Sequence, residues 1–111
     1  MSRLFLPTAA TLLAATFGLE AKAQDLTSGV YSCAAGGKAY GSVEIDGSRY
    51  RAAGEGWSSY SRIGPAILWN GALGAISAAG EVVGTTVSGQ GFDIQIKPAA
   101  GDGFELVRCR K

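Results

Sequence analysis

Trp57, Tyr60 and Trp69 fall within 13 residues, with Ser59 and Arg62 between them and Asn70 directly after Trp69. Trp, Tyr and Arg are the side chains that dominate the energetics of protein interfaces, because each combines a large apolar area with a polar handle. Grouped this way they suit a surface that holds a sugar, a peptide or another protein. The same aromatics also suit the core of a small barrel. On a regular strand Trp57 and Tyr60 have opposite parity, so both point inward only if a bulge intervenes; one of the two is expected at the surface. The candidate binding set is therefore Trp57, Ser59, Tyr60, Arg62, Trp69 and Asn70, beside an apolar segment, Gly71 to Gly80, whose Leu73 and Ile76 are costly to expose unless they cover or bind something.

Catalytic chemistry finds little to work with. The chain has no His, which removes His-based triads, His-containing zinc sites and the commonest general base. The serines have no base beside them in sequence. Glu44 with Glu81, or Asp93 with Asp102, would have to be brought together by the fold to act as a glycosidase pair. Asp102-Gly103-Phe104-Glu105 lacks the repeated carboxylates of a calcium loop. The glycine pairs Gly54-x-Gly56, Gly89-x-Gly91 and Gly101-x-Gly103 lack the third glycine and following helix of a dinucleotide site, and Gly37-Lys38 is followed by Ala39 instead of the hydroxyl a phosphate loop needs. These glycines read as β-turns. No catalytic residue, metal or cofactor is expected, and the chain reads as a non-enzyme.

Residues 1–23 have the form of a cleaved export signal: Met1-Ser2-Arg3, an apolar run from Leu4 to Leu19, and Ala21-Lys22-Ala23 before Gln24. The run is 16 residues, short of the roughly 20 that span a bilayer, so no membrane insertion is expected after cleavage. Residues 24–111 form one small domain of 88 residues, expected in the periplasm or secreted. Of ten basic and nine acidic residues, Arg3, Lys22 and Glu20 leave with the signal, so eight of each remain. A neutral domain lacks the basic field that nucleic-acid binding needs. Cys33 and Cys109, the only cysteines, are expected to form a structural disulfide in an oxidising compartment. Their spacing is far from the C-x-x-C of redox enzymes. The bond would hold the first and last strands together.

The elements that must position these groups are strands. Short runs with period-2 alternation recur every 8–12 residues: Val30–Cys33, Tyr40–Asp46, Arg49–Ala52, Trp57–Ile63, Ala66–Trp69, Glu81–Val87, Phe92–Lys97 and Phe104–Arg108. Gly47-Ser48 is a two-residue hairpin turn, which sets Asp46 against Arg49, Ile45 against Tyr50 and Glu44 against Arg51. Ala66–Trp69 is apolar enough to be buried on both faces. Gly71–Gly80, with three glycines in ten residues, reads as a loop. The expected core comprises Val30, Tyr31, Val43, Ile45, Tyr50, Trp57, Tyr60, Ile67, Trp69, Val83, Phe92, Ile94, Ile96, Phe104 and Leu106. The fold class is all-β, a small antiparallel meander barrel or sandwich of about eight short strands stapled by one disulfide, with closure into a barrel favoured because it removes exposed edges.

The stretch from Ser58-Ser59-Tyr60 through Ile67-Leu68-Trp69-Asn70-Gly71 resembles the small periplasmic inhibitors of C-type lysozyme. That resemblance implies an exported eight-stranded antiparallel barrel tied by a disulfide, whose loops enter the lysozyme cleft. Asn70 occupies the place of that family's Lys, and no Gly follows the serines. The functional expectation is a protein-binding or inhibitory module whose partner is another exported protein such as a lysozyme. The alternatives are a small-ligand-binding barrel of the cell envelope, with a pocket rimmed by Tyr50, Trp69 and the Gly71–Gly80 segment, or a structural protein.

Overall fold

A computed structural model describes residues 26–111. The signal reading of residues 1–23, and the first two residues of the expected mature chain, lie outside the described residues. Eight strands follow one another: β1 (Gly29–Ala35), β2 (Lys38–Asp46), β3 (Arg49–Ala52), β4 (Ser58–Ile63), β5 (Ala66–Trp69), β6 (Gly80–Ser88), β7 (Gly91–Pro98) and β8 (Glu105–Arg110), with one short helix, α1 (Ala75–Ala79), between β5 and β6. Each strand pairs antiparallel with the next, and β8 returns to β1, so the sheet closes into an eight-stranded meander barrel. The choice between barrel and sandwich is thus settled as a barrel.

The β2–β3 hairpin has the expected register: Asp46 faces Arg49, Ile45 faces Tyr50 and Glu44 faces Arg51. The charged pairs meet on the outer wall, with Arg49 Nη2 2.9 Å from Asp46 Oδ2 and Arg51 Nε 3.1 Å from Glu44 Oε1. Closure rests on three register pairs between β1 and β8, the middle one being Cys33 opposite Cys109. These cysteines form the disulfide. Both point into the barrel and are shielded there, Cys33 at 2 % exposure and Cys109 at 0 %.

Inward residues fill the barrel. Tyr31, Val43, Ile45, Tyr50, Phe92, Ile94, Ile96 and Val107 are all buried. Trp69 lies among them, its ring centroid 4.7 Å from Tyr50, 5.9 Å from Tyr60 and 5.4 Å from Phe92. Its indole N–H donates to Thr85 Oγ1 at 2.6 Å, so the polar edge of a mostly buried indole is satisfied.

Five expected core residues are on the outside instead: Val30, Val83, Phe104 and Leu106 are exposed, and Trp57 is half-buried on the outer wall. Strand parity accounts for two of them. With Tyr31 and Cys33 inward, Val30 must point out; with Cys109 inward, Val107 takes the core position and Leu106 the outer one. Val83 sits at a bulge in β6, where the register with β7 shifts between Val82 and Gly84. Phe104 precedes β8 and lies in the connecting loop. Leu68 is also exposed, so β5 is buried on one face only.

The Gly71–Gly80 segment is more ordered than a loop. Its glycines fall at 71, 74 and 80, leaving Ala75-Ile76-Ser77-Ala78-Ala79 free of glycine and rich in the best helix former, and that stretch is α1. Ser77 Oγ accepts from Leu73 N at 2.8 Å. Leu73 and Ile76 are each 1 % exposed and close one end of the barrel. Gly74 makes this possible: it has φ +60°, and a Cβ there would stand 3.0 Å from Ala52 Cβ. At the opposite end, buried Leu26 donates its N–H to Tyr60 Oη at 2.9 Å, and the Tyr60 hydroxyl donates to Gly47 O at 2.6 Å.

Candidate functional site on the outer wall

The six sequence candidates fall into three places. Tyr60 is buried and Trp69 is mostly so; both belong to the barrel interior. Trp57, Ser59 and Asn70 share the outer wall of β3, β4 and β5. Arg62 stands at the far end of β4, near Leu26, Gln90 and Lys111. The parity argument resolves in favour of Trp57: it precedes β4 and is half-buried on the outside, while Tyr60 points in.

Trp57 does not stand alone. The guanidinium carbon of Arg49 is 4.3 Å from its ring centroid and that of Arg51 is 4.5 Å. Arg49 and Arg51 are two residues apart on β3, so both point outward, separated by about 6.8 Å along the strand. That spacing lets one indole lie beside both guanidiniums. Each guanidinium is also fixed by a carboxylate from β2, Asp46 for Arg49 and Glu44 for Arg51. The result is a row of five side chains, Asp46, Arg49, Trp57, Arg51 and Glu44, alternating acid, cation, ring, cation, acid. A cation over an exposed ring is worth about 0.5–1 kcal/mol, and each exposed ion pair about 0–1 kcal/mol. The row thus holds its side chains in place without being a main source of stability.

Ser59 and Asn70 extend the row sideways. Ser59 faces Arg49 across the β3–β4 pairing. Asn70 Nδ2 donates to Ser59 Oγ at 2.6 Å, and Asn70 N donates to Ser59 O at 3.1 Å. The sequence reading missed Arg49 and Arg51 as site residues. The hairpin register already aimed both outward; what was missing was the path of the Ala53–Trp57 turn, which folds the indole back over β3.

Three tyrosines have pKa values raised above the ordinary one. For Tyr40 the cause is first its hydroxyl's hydrogen bond to Glu105 Oε1 at 2.7 Å, then burial, then the Glu105 charge. Burial raises Tyr31. Burial also raises Tyr50, partly offset by the N–H of Gly71 and by Ser58. None of the three stands on the outer wall beside Trp57.

Glu44 is engaged by Arg51, and Asp93 by Arg110 at 2.9 Å. Among the described residues no group of three or more His, Cys, Asp or Glu side chains is gathered to hold a metal ion. No helix of the described residues is long and apolar enough to cross a membrane. The small-ligand alternative placed its pocket beside Tyr50, Trp69 and the Gly71–Gly80 segment; Leu73 and Ile76 are buried there, and an open depression of about 400 Å³ lies beside Trp69, Gly71, Ser77 and Gly80. No family model, characterised protein or solved structure matches the chain.

Proposed function

We propose that this protein is an exported, non-catalytic module that binds another exported protein through the outer wall around Trp57, the barrel serving as its scaffold. The observation that carries the reading is the row of Arg49, Trp57 and Arg51, held outside a barrel whose interior is already filled. A surface indole flanked by two immobilised guanidiniums has the composition of an interface hot spot. Because its rotamers are set before a partner arrives, less conformational entropy is lost on docking. Ser59 and Asn70 add hydrogen-bonding groups at its edge. The resemblance to lysozyme-inhibitor barrels makes C-type lysozyme the first partner to try, in an inhibitory role. No cofactor, nucleic acid or inserted membrane segment takes part in this reading.

The test immobilises the oxidised protein and its Trp57→Ala variant on a sensor and passes C-type lysozyme, then envelope and culture extracts, over both. Retention of one protein by the parent and its loss on the variant supports the module, and a parallel fall in lysozyme turnover supports inhibition. Equal retention by the two surfaces, or none on either, overturns it.

A further inference from the structure

Strands β5 and β6 share less of the ladder than their lengths allow. Among the described residues their register is a single pair, Ala66 with Thr86, beside a bond from Val87 N to Pro65 O at 2.8 Å. On its other side each strand is paired along its length: β5 has four register pairs with β4, and β6 has eight with β7. Past Ala66 and Thr86 the two strands part. Residues 67–69 of β5 and 80–85 of β6 then face each other across a groove of about 400 Å³. We infer that this groove takes an extended peptide, a basic residue flanked by apolar ones, which adds as a strand along the free edge of β6.

The edge is the first argument. A strand edge presents a row of N–H and C=O groups that a further strand can pair with, and barrel closure ordinarily removes such edges. Three local features keep this one. The bulge between Val82 and Gly84 lies in the parted stretch, and a bulge bends the strand that carries it. The indole N–H of Trp69 donates to Thr85 Oγ1 at 2.6 Å, so a side-chain bond crosses the seam just past the last register pair. The chain that joins β5 to β6 passes through helix α1, which offers no strand to either edge. Main-chain pairing with an incoming extended segment is the ordinary way such an edge recognises a peptide.

The lining side chains choose among peptides. Glu81 is the only charged side chain in the groove. Lys97 lies opposite it on β7, on the side away from the groove, which leaves the groove side to a basic residue of the peptide. Leu68 on one rim and Val83 on the other are exposed and offer apolar area. Ile67 and Val82 turn toward the core. Successive side chains of a strand point to opposite faces. The matching peptide therefore has a basic residue outward, small apolar residues on either side of it inward, and apolar residues at the next outward positions.

The test titrates the peptide acetyl-Thr-Val-Ala-Lys-Ala-Val-Thr-amide into the oxidised protein and follows amide NMR shifts. Its sequence is the same in both directions, so either strand direction brings the lysine to Glu81. A second peptide, N-methylated at the lysine and both alanines, has the same side chains but loses ladder donors on both of its edges. The first should bind with Kd of about 0.1–1 mM, weakly because a free peptide must be ordered, with shifts concentrated in residues 67–69 and 80–85. The N-methylated peptide should bind at least about tenfold more weakly. Glu81→Gln should weaken the first peptide by about twofold to fivefold. A Cβ at Gly84 meets nothing within 4 Å and the backbone there is not left-handed, so Gly84→Phe should melt like the parent while its ring fills the groove and abolishes binding. Equal binding of the two peptides, no binding of the first, shifts centred elsewhere, or full binding by Gly84→Phe each overturns the inference. The same shifts appearing on concentrating the protein without peptide would make a second copy the occupant and overturn it too. The N-methyl comparison stands whether or not Gly84→Phe folds, and no arm touches Trp57, so the protein-binding reading keeps its own test.

Discussion

Reducing the Cys33–Cys109 bond should remove a large part of this domain's stability, and the structure sets the size of the effect. The two cysteines are 76 residues apart. Closing a loop of that length lowers the entropy of the unfolded chain by an amount worth about 4.5 kcal/mol at room temperature. A domain of this size has a total of about 5–15 kcal/mol. The strands that the bond joins share three register pairs, so little else fastens the barrel's closing seam. Urea unfolding of the oxidised protein, of the reduced protein and of a Cys33→Ala/Cys109→Ala variant should show the reduced form less stable by about 4–5 kcal/mol, with a melting point lower by about 20–30 °C. The double variant should lose somewhat more, since it also removes two buried sulfur atoms from the core. Because both cysteines are shielded inside the barrel, dithiothreitol should reduce the native protein only as fast as the barrel opens, and low urea should speed that reduction steeply. A reduced protein within about 1 kcal/mol of the oxidised one would refute the reasoning, for it would mean that sheet closure stands without its staple.

Leu73→Ala should cost about 2–4 kcal/mol in urea unfolding, because Leu73 is a buried plug; a loss under about 1 kcal/mol would mean that the α1 segment does not cap the barrel. Trp57→Ala should change stability by no more than about 1–2 kcal/mol, the worth of two exposed cation–π contacts, while abolishing partner retention on the sensor. Gly91→Ala should destabilise by more than about 2 kcal/mol or prevent folding, since its new Cβ would lie 2.0 Å from the backbone oxygen of Cys109; circular dichroism and thermal melting would show it. Stability should fall above about pH 10. Tyr31, Tyr40 and Tyr50 all have raised folded-state pKa values, so their contribution is complete below the unfolded tyrosine pKa and is lost as pH rises through the folded values. In Tyr40→Phe, which lacks the bond to Glu105, that alkaline loss should be smaller when urea midpoints are compared at pH 8 and pH 11.

The parts of the fold legible in the sequence were those where independent signals agreed. Gly47-Ser48, the alternation on both sides of it and the charge order Glu44, Asp46, Arg49, Arg51 all specify one register, and the hairpin has it. Two cysteines near the ends of the expected domain implied neighbouring first and last strands, and Cys33 lies opposite Cys109. The misplaced core residues had a remedy within the same sequence. If Cys33 and Cys109 face inward, period 2 sends Val30 and Leu106 outward and Val107 inward. The bulge beside Val83 had no such signal, because whether a residue is extra depends on the partner strand. Helix α1 was hidden by counting glycines over ten residues instead of locating them, since five consecutive positions between Gly74 and Gly80 carry none. For the candidate site, parity identified two possible outward aromatics but not which. That choice depended on the Ala53–Trp57 turn, whose path is set by tertiary contacts.

An eight-stranded barrel of strands this short encloses only enough volume for its own side chains, and here Tyr31, Tyr50, Trp69 and Phe92 occupy it. The interior therefore serves packing, which leaves the outer wall and the ends as the surfaces that can meet a partner. One end is closed by Leu73 and Ile76. The wall beside β3 carries one indole between two cations in fixed rotamers. The cations on the wall stand beside carboxylates of the same chain, so docking there exchanges one ion pair for another and its energy must come chiefly from covering Trp57. Salt should then leave protein binding at Trp57 nearly unchanged. Retention on the sensor measured across a salt series checks this, and a steep loss with salt would contradict it.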